Sequence, residues 1–218
     1  MTVPRDPRLP RFVYHMADAL NWPSIERHGL LSTTALLDRA GLAGLERTRL
    51  EQQYRQEQMI LSNGAIIRDQ KPMPPATLER CLQGMTPAQW YALLNSKVFF
   101  WCNVDRLNRM RLASRQREQV IMIIDTERLL ASHGEDATLT PINTGNALRR
   151  AAQRGLQTFV PYKSWLQSGW ASEAEALGTT PRPIHHRPVE LAITHAVPDA
   201  LDCLVETRYL KPMKVLDL

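Results

Sequence analysis

The chain has 218 residues, enough for one domain with its own core, and 27 Lys plus Arg against 22 Asp plus Glu leave it at +5. The hydrophobic fraction of 44% is ordinary for a globular protein. No apolar run approaches the roughly 20 residues of a membrane span, so no membrane partner is expected. Three cysteines (Cys81, Cys102 and Cys203) are odd in number, widely spaced and match no zinc pattern. They read as buried thiols in a reducing cytoplasm, and no metal site is expected. The basic balance is compatible with a polyanionic partner without demanding one.

Residues 1–10, with Pro4, Pro7 and Pro10, read as an extended arm that lacks the apolar centre of a signal peptide. Residues 11–218 read as a single domain. It opens with a strand at 12–15 that puts Phe12 and Tyr14 on one face. Asn21, or else Ser24, caps a short helix with Pro23 in its first turn, and Gly29 ends it. A hydroxyl cluster, Ser32-Thr33-Thr34, comes next; beside a strand ending in Tyr14-His15 it suits the floor of a small-molecule pocket. Residues 35–95 read as a helical insertion. An amphipathic helix pair runs to about residue 70, and 71–75 is a rigid Pro-rich connection. Thr77 caps one further helix and Thr86 another at 88–95.

The second half is richer in strands. The apolar runs 98–102 and 120–124 predict buried strands, and 189–193 predicts another with one acid in it. Between the first two, 105–114 predicts a helix with Leu107 and Met110 on one side and arginines on the other. Residues 127–132 form a short turn or helix, 141–147 a polar loop, and 201–207 and 209–216 the last edge elements.

Four features can carry chemistry. Glu190 lies in an apolar strand, where an unpaired carboxylate costs several kcal/mol, so it points out, pairs, or lines a cleft. His15 ends the first strand and reads either as a structural histidine or as a ligand contact. Arg106, Arg109, Arg111, Arg115 and Arg117 read as a solvated helix face or as a phosphate clamp. Trp101 either packs or stacks on a ligand ring. Gly-rich dinucleotide, P-loop, HExxH, CxxC and nucleophile-elbow motifs are all missing from the sequence.

Taken together, the Tyr14-His15 strand, the helix ending in His28-Gly29-Leu30-Leu31-Ser32, the aromatic strand followed by Arg106, the Val120–Thr126 stretch, the Asn146 loop and the late Val189-Glu190-Leu191 strand resemble the DarT-like ADP-ribosyltransferases, nucleic-acid-modifying toxins. The resemblance implies an α+β fold with a split, twisted sheet of the ADP-ribosyltransferase kind, and NAD as substrate. It implies His15 as an NAD contact, with Tyr14, Ser32, Thr33, Trp101 and Asn146 around the dinucleotide. It further implies Arg106 and Glu190 as catalytic residues, nucleic acid as acceptor and an antitoxin protein as partner. Two features depart from the family: Val104-Asp105-Arg106-Leu107 replaces its usual segment, so Arg109 competes with Arg106, and residues 35–95 are long and helical. A protein or small-molecule acceptor, or a basic nucleic-acid-binding module with a decayed NAD cleft, are the alternatives.

Overall fold

The computed structural model describes residues 6–113, 117–147 and 151–217. Strand β1 (Phe12–Asp18) leads through a 3-10 turn at Ala19–Asn21 into α1 (Trp22–His28). Pro23 sits in the first turn of α1 and Gly29 stops it at φ 68°. Then come β2 (Leu30–Leu31), α2 (Thr33–Arg39), α3 (Gly44–Gln52), the hairpin β3 (Met59–Ile60) and β4 (Ile66–Ile67), α4 (Pro75–Cys81) and α5 (Pro87–Asn95). The second half runs β5 (Lys97–Trp101), α6 (Val104–Ala113), β6 (Gln119–Asp125), α7 (Thr126–His133) and β7 (Ala137–Thr140). It closes with β8 (Val160–Pro161), α8 (Tyr162–Ser168), α9 (Ala171–Leu177), β9 (Glu190–Thr194), β10 (Ala196–Val197) and β11 (Leu204–Leu210).

The fold is α+β. Seven strands form one sheet in the order β11-β6-β1-β5-β9-β7-β8, with antiparallel pairing throughout. The four runs expected to be strands, at 12–15, 98–102, 120–124 and 189–193, are its four adjacent members β1, β5, β6 and β9. β6 shows why they read as apolar runs rather than alternations. Val120, Met122 and Ile124 enter one core cluster with Val13, Phe100 and Leu191, while Ile121 and Ile123 enter another with Tyr14 and Leu107 from α6. A strand covered on both faces has no polar side to show.

The pairing is uneven. β1 is registered with β6 through seven residue pairs, from Phe12↔Asp125 to Asp18↔Gln119, and β5 with β9 through five. Between β1 and β5 the register holds a single pair, Tyr14↔Trp101. β1 and β5 are still neighbours in the one sheet, joined through this pair.

Two expectations need correction. The 35–95 segment lies outside the main sheet, but 53–74 holds no helix. Asn63 accepts from the Ala65 amide (3.1 Å) and Gly64 takes φ 82°, which turns the chain into the β3–β4 hairpin. Pro72, Pro74 and Pro75 then bar a helix until Pro75 itself serves as first residue of α4, two residues before Thr77. The N-terminal arm is also no free extension within residues 6–10: Leu9 is buried in the core and the Arg8 guanidinium lies 4.1 Å over the Trp165 ring. Leu9 and Arg8 together dock it. The cap at Thr86 forms as expected, with a full capping box to Gln89.

Candidate functional site

Glu190 begins β9, and its cross-strand partners are Trp101 on β5 and Thr140 on β7. Since Trp101 in turn pairs with Tyr14, the residues Tyr14, Trp101, Glu190 and Thr140 form one transverse row on one face of the sheet. The carboxylate is only 4% exposed. Its Oε2 accepts from Thr144 Oγ1 (2.8 Å), Thr144 N (3.2 Å) and Thr140 Oγ1 (3.1 Å). Burial pushes its pKa up to about 7, against the opposing effects of Thr144, Thr140 and the Arg154 charge.

Thr140 has one hydroxyl proton and two acceptors in reach, Glu190 Oε2 and the Ile142 carbonyl at 2.8 Å. With Glu190 protonated, the carboxyl donates to Thr140 and Thr140 donates on to Ile142, so every oxygen is served. With Glu190 ionised, Thr140 must choose. When it donates to the carboxylate, Thr140 works with Thr144 against burial.

His15 lies on β1, beside the neighbouring strand β5. Its Nδ1 lies 2.9 Å from the Phe99 carbonyl, which accepts, so Nδ1 carries the proton and Nε2 is left as an acceptor. Burial holds the ring down at about 4; the Phe99 bond opposes this and the Arg68 charge adds to it. The imidazole is neutral at physiological pH. Strand alternation turns it to the face opposite Tyr14, 5.7 Å from the Phe100 ring. His15 and Glu190 therefore do not share a face.

The other residues singled out in the sequence scatter. Ser32 is buried and its Oγ accepts from the Ala35 amide at 3.1 Å, so it caps α2; Thr33 is the first residue of that helix. Trp101 packs beside Tyr14 under α6. Arg106 is partly exposed at the start of α6, where its amide donates to the Asn103 side chain (3.1 Å), and Arg109 is exposed. Asn146 is exposed, and its carbonyl accepts from Arg154 Nη1 at 2.9 Å.

The arginine cluster is not one surface. Arg111 is 1% exposed and donates to Gln119 Oε1 and to the carbonyls of Arg117, Leu210 and Lys211, while Arg117 pairs with Asp69 at 2.8 Å. Arg115 lies outside the described residues. Nothing in the sequence singles out Thr140, Thr144 or Arg154. The polar loop is visible there, but Asn146 draws notice ahead of Thr144, and Arg154 is one arginine among many.

Two surface concavities lie elsewhere. One of about 430 Å³ is lined by Asp125, Glu127, Arg128, Asp202 and Cys203, and another of about 400 Å³ by Arg49, Tyr54 and Met59. Among the described residues no helix is long and apolar enough to cross a membrane.

Fold and site together define an α+β protein with a seven-stranded antiparallel sheet and a buried carboxylate on one of its inner strands. A protein-family model described as a family of unknown function, DUF7002, matches residues 11–204, and the chain belongs to that family. No curated protein matches it.

Proposed function

We propose that this chain is an NAD-dependent ADP-ribosyltransferase that modifies nucleic acid. The observation that carries the proposal is Glu190: a buried carboxyl pushed up to about 7, in a row with two aromatic residues on the neighbouring strands. Perturbed carboxyls of this kind gather at functional sites more often than elsewhere. The order of motifs resembling DarT-like enzymes supports the same reading.

On this reading, nicotinamide departs from NAD through a ribosyl oxocarbenium ion. An ionised Glu190 stabilises that cation, and a carboxyl with a pKa near 7 is equally suited to take the proton of the attacking acceptor. His15, on the opposite face of the sheet, takes no part at this carboxyl. Because Glu190 is enclosed, the 141–147 connection has to shift before a ribose reaches it. Arg106 and Arg109, on the exposed side of α6, are suited to phosphates of the acceptor.

The enclosure of Glu190 also favours a second reading, in which the carboxylate merely anchors its loop and the protein is a basic nucleic-acid-binding or regulatory module. Incubation with labelled NAD and separate pools of DNA, RNA and protein separates the two. The transferase labels the nucleic acid, and Glu190→Gln lowers labelling by about 10²–10⁴-fold. A protein pool labelled instead moves the acceptor, and an antitoxin would suppress either signal. No label in any pool, with salt-steep nucleic-acid affinity, refutes the transferase.

A further inference from the structure

We propose that Arg154 is a positioning residue for Glu190, acting through Thr144, which it holds with its two donors aimed at the carboxylate. The arginine is rigidly mounted. Its amide donates to the Cys81 carbonyl and its carbonyl accepts from the Gln83 amide, both at 2.8 Å, where α4 ends. Its side chain is 2% exposed, and Nη1 donates to the carbonyls of Thr144 (3.2 Å) and Asn146 (2.9 Å). Thr144 therefore stands between two charges. Its carbonyl faces the guanidinium, and its amide and hydroxyl face Glu190 Oε2.

Among the described residues, the titratable groups around Glu190 are few. Arg154 bears on it from the connection and the buried Cys102 thiol from the residue after β5, with Tyr14 on β1 at the end of the row. The Cys102 thiol is itself pushed up, by burial and then by the Glu190 charge, and stays protonated. The ion that answers Glu190 is therefore Arg154. Its charge bears on the carboxylate through space, and its fork sets where the 144–146 backbone presents the Thr144 donors. The consequence for catalysis rests on the transferase reading of Glu190; the titration itself does not.

The test follows the Glu190 side-chain carboxyl by carbon NMR across pH in the full chain. Thr144→Val removes one donor to the charged form and raises the midpoint by about one pH unit; Thr144→Ser restores it. Arg154→Lys keeps the charge but loses the fork, and raises the midpoint in the same direction. The double variant Thr144→Val/Arg154→Lys shifts it no further than the larger single change, because both act at one residue. A wild-type midpoint in Arg154→Lys, or additive shifts in the double variant, overturns the proposal in favour of a direct charge effect. If Arg154→Lys does not fold, the wild-type protein still decides: the guanidinium nitrogen resonances of Arg154 must titrate with the Glu190 midpoint, and unmoved resonances overturn the proposal. Shifts as expected in a protein that labels nothing sink the transferase and leave the positioning intact. Labelling together with an unmoved midpoint in Thr144→Val does the reverse.

Discussion

Replacing Glu190 by Gln should change how stability depends on pH, and the sign follows from burial. In the folded protein the carboxyl is raised from 4.5 to about 7, so between those values the native state holds a proton that the unfolded chain has released. Stability from this group is therefore complete below pH 4.5 and is lost as pH rises through 7. The full change is about 3 kcal/mol, an upper figure since loop relaxation relieves part of it. Gln cannot titrate and retains an oxygen for the Thr144 donors. The variant should therefore gain on the wild type from pH 4 to pH 8, by up to about 3 kcal/mol, or on the order of 6–12 °C in melting temperature for a chain of this size. His15 works in the opposite sense: its folded pKa is lowered, so its contribution is present above about 6.5 and fades toward 4. Both proteins carry His15, so it cancels in the difference. Paired urea titrations at half-unit pH steps measure that difference. A gap between variant and wild type that stays flat to within about 0.5 kcal/mol would refute a buried carboxyl that titrates near neutrality.

Two further outcomes are expected. His15→Phe should lose the Phe99 bond, about 1 kcal/mol at pH 8, and should close that deficit as pH falls from 6.5 toward 4, because the wild type alone must then accommodate a charged ring; paired melts at pH 5 and pH 8 with an unchanged gap would contradict this. Gly29→Ala should cost about 3 kcal/mol or more: Gly29 holds φ 68° between α1 and β2, and an added Cβ would sit 2.3 Å from the Val197 carbonyl oxygen. Chemical denaturation measures it, and a near-neutral result would mean that β2 and β10 do not close on this glycine.

Part of the site is legible in the amino-acid sequence. Glu190 stands out because a carboxylate in an apolar run demands an explanation, and its burial against two threonines supplies one. Ser32 is legible only as a hydroxyl near a strand. Its role as a cap depends on where α2 starts, and the amphipathic pattern from 35 onward obscures that start. The basic helix misleads in a different way. Composition shows the charge of Arg111, but the carbonyls of Leu210 and Lys211 that take it indoors come from the far end of the chain.

The sequence by itself determined the four central strands, the proline first turn and glycine end of α1, and the cap of α5; the Asn21 side chain, expected as a cap, bonds the Ile66 backbone instead. Each of these is written in residues a few positions apart: apolar runs bounded by polar ones, a proline at a first turn, a glycine at a last, a threonine three residues before its glutamine. Tertiary structure alone decided the single register pair between β1 and β5, the row that joins Tyr14, Trp101 and Glu190, and the turning of His15 to the other face. Those depend on register between strands some ninety residues apart, and side chains alternate with a period of two. A slip of one residue, invisible in local pattern, would exchange the faces of every side chain on a strand.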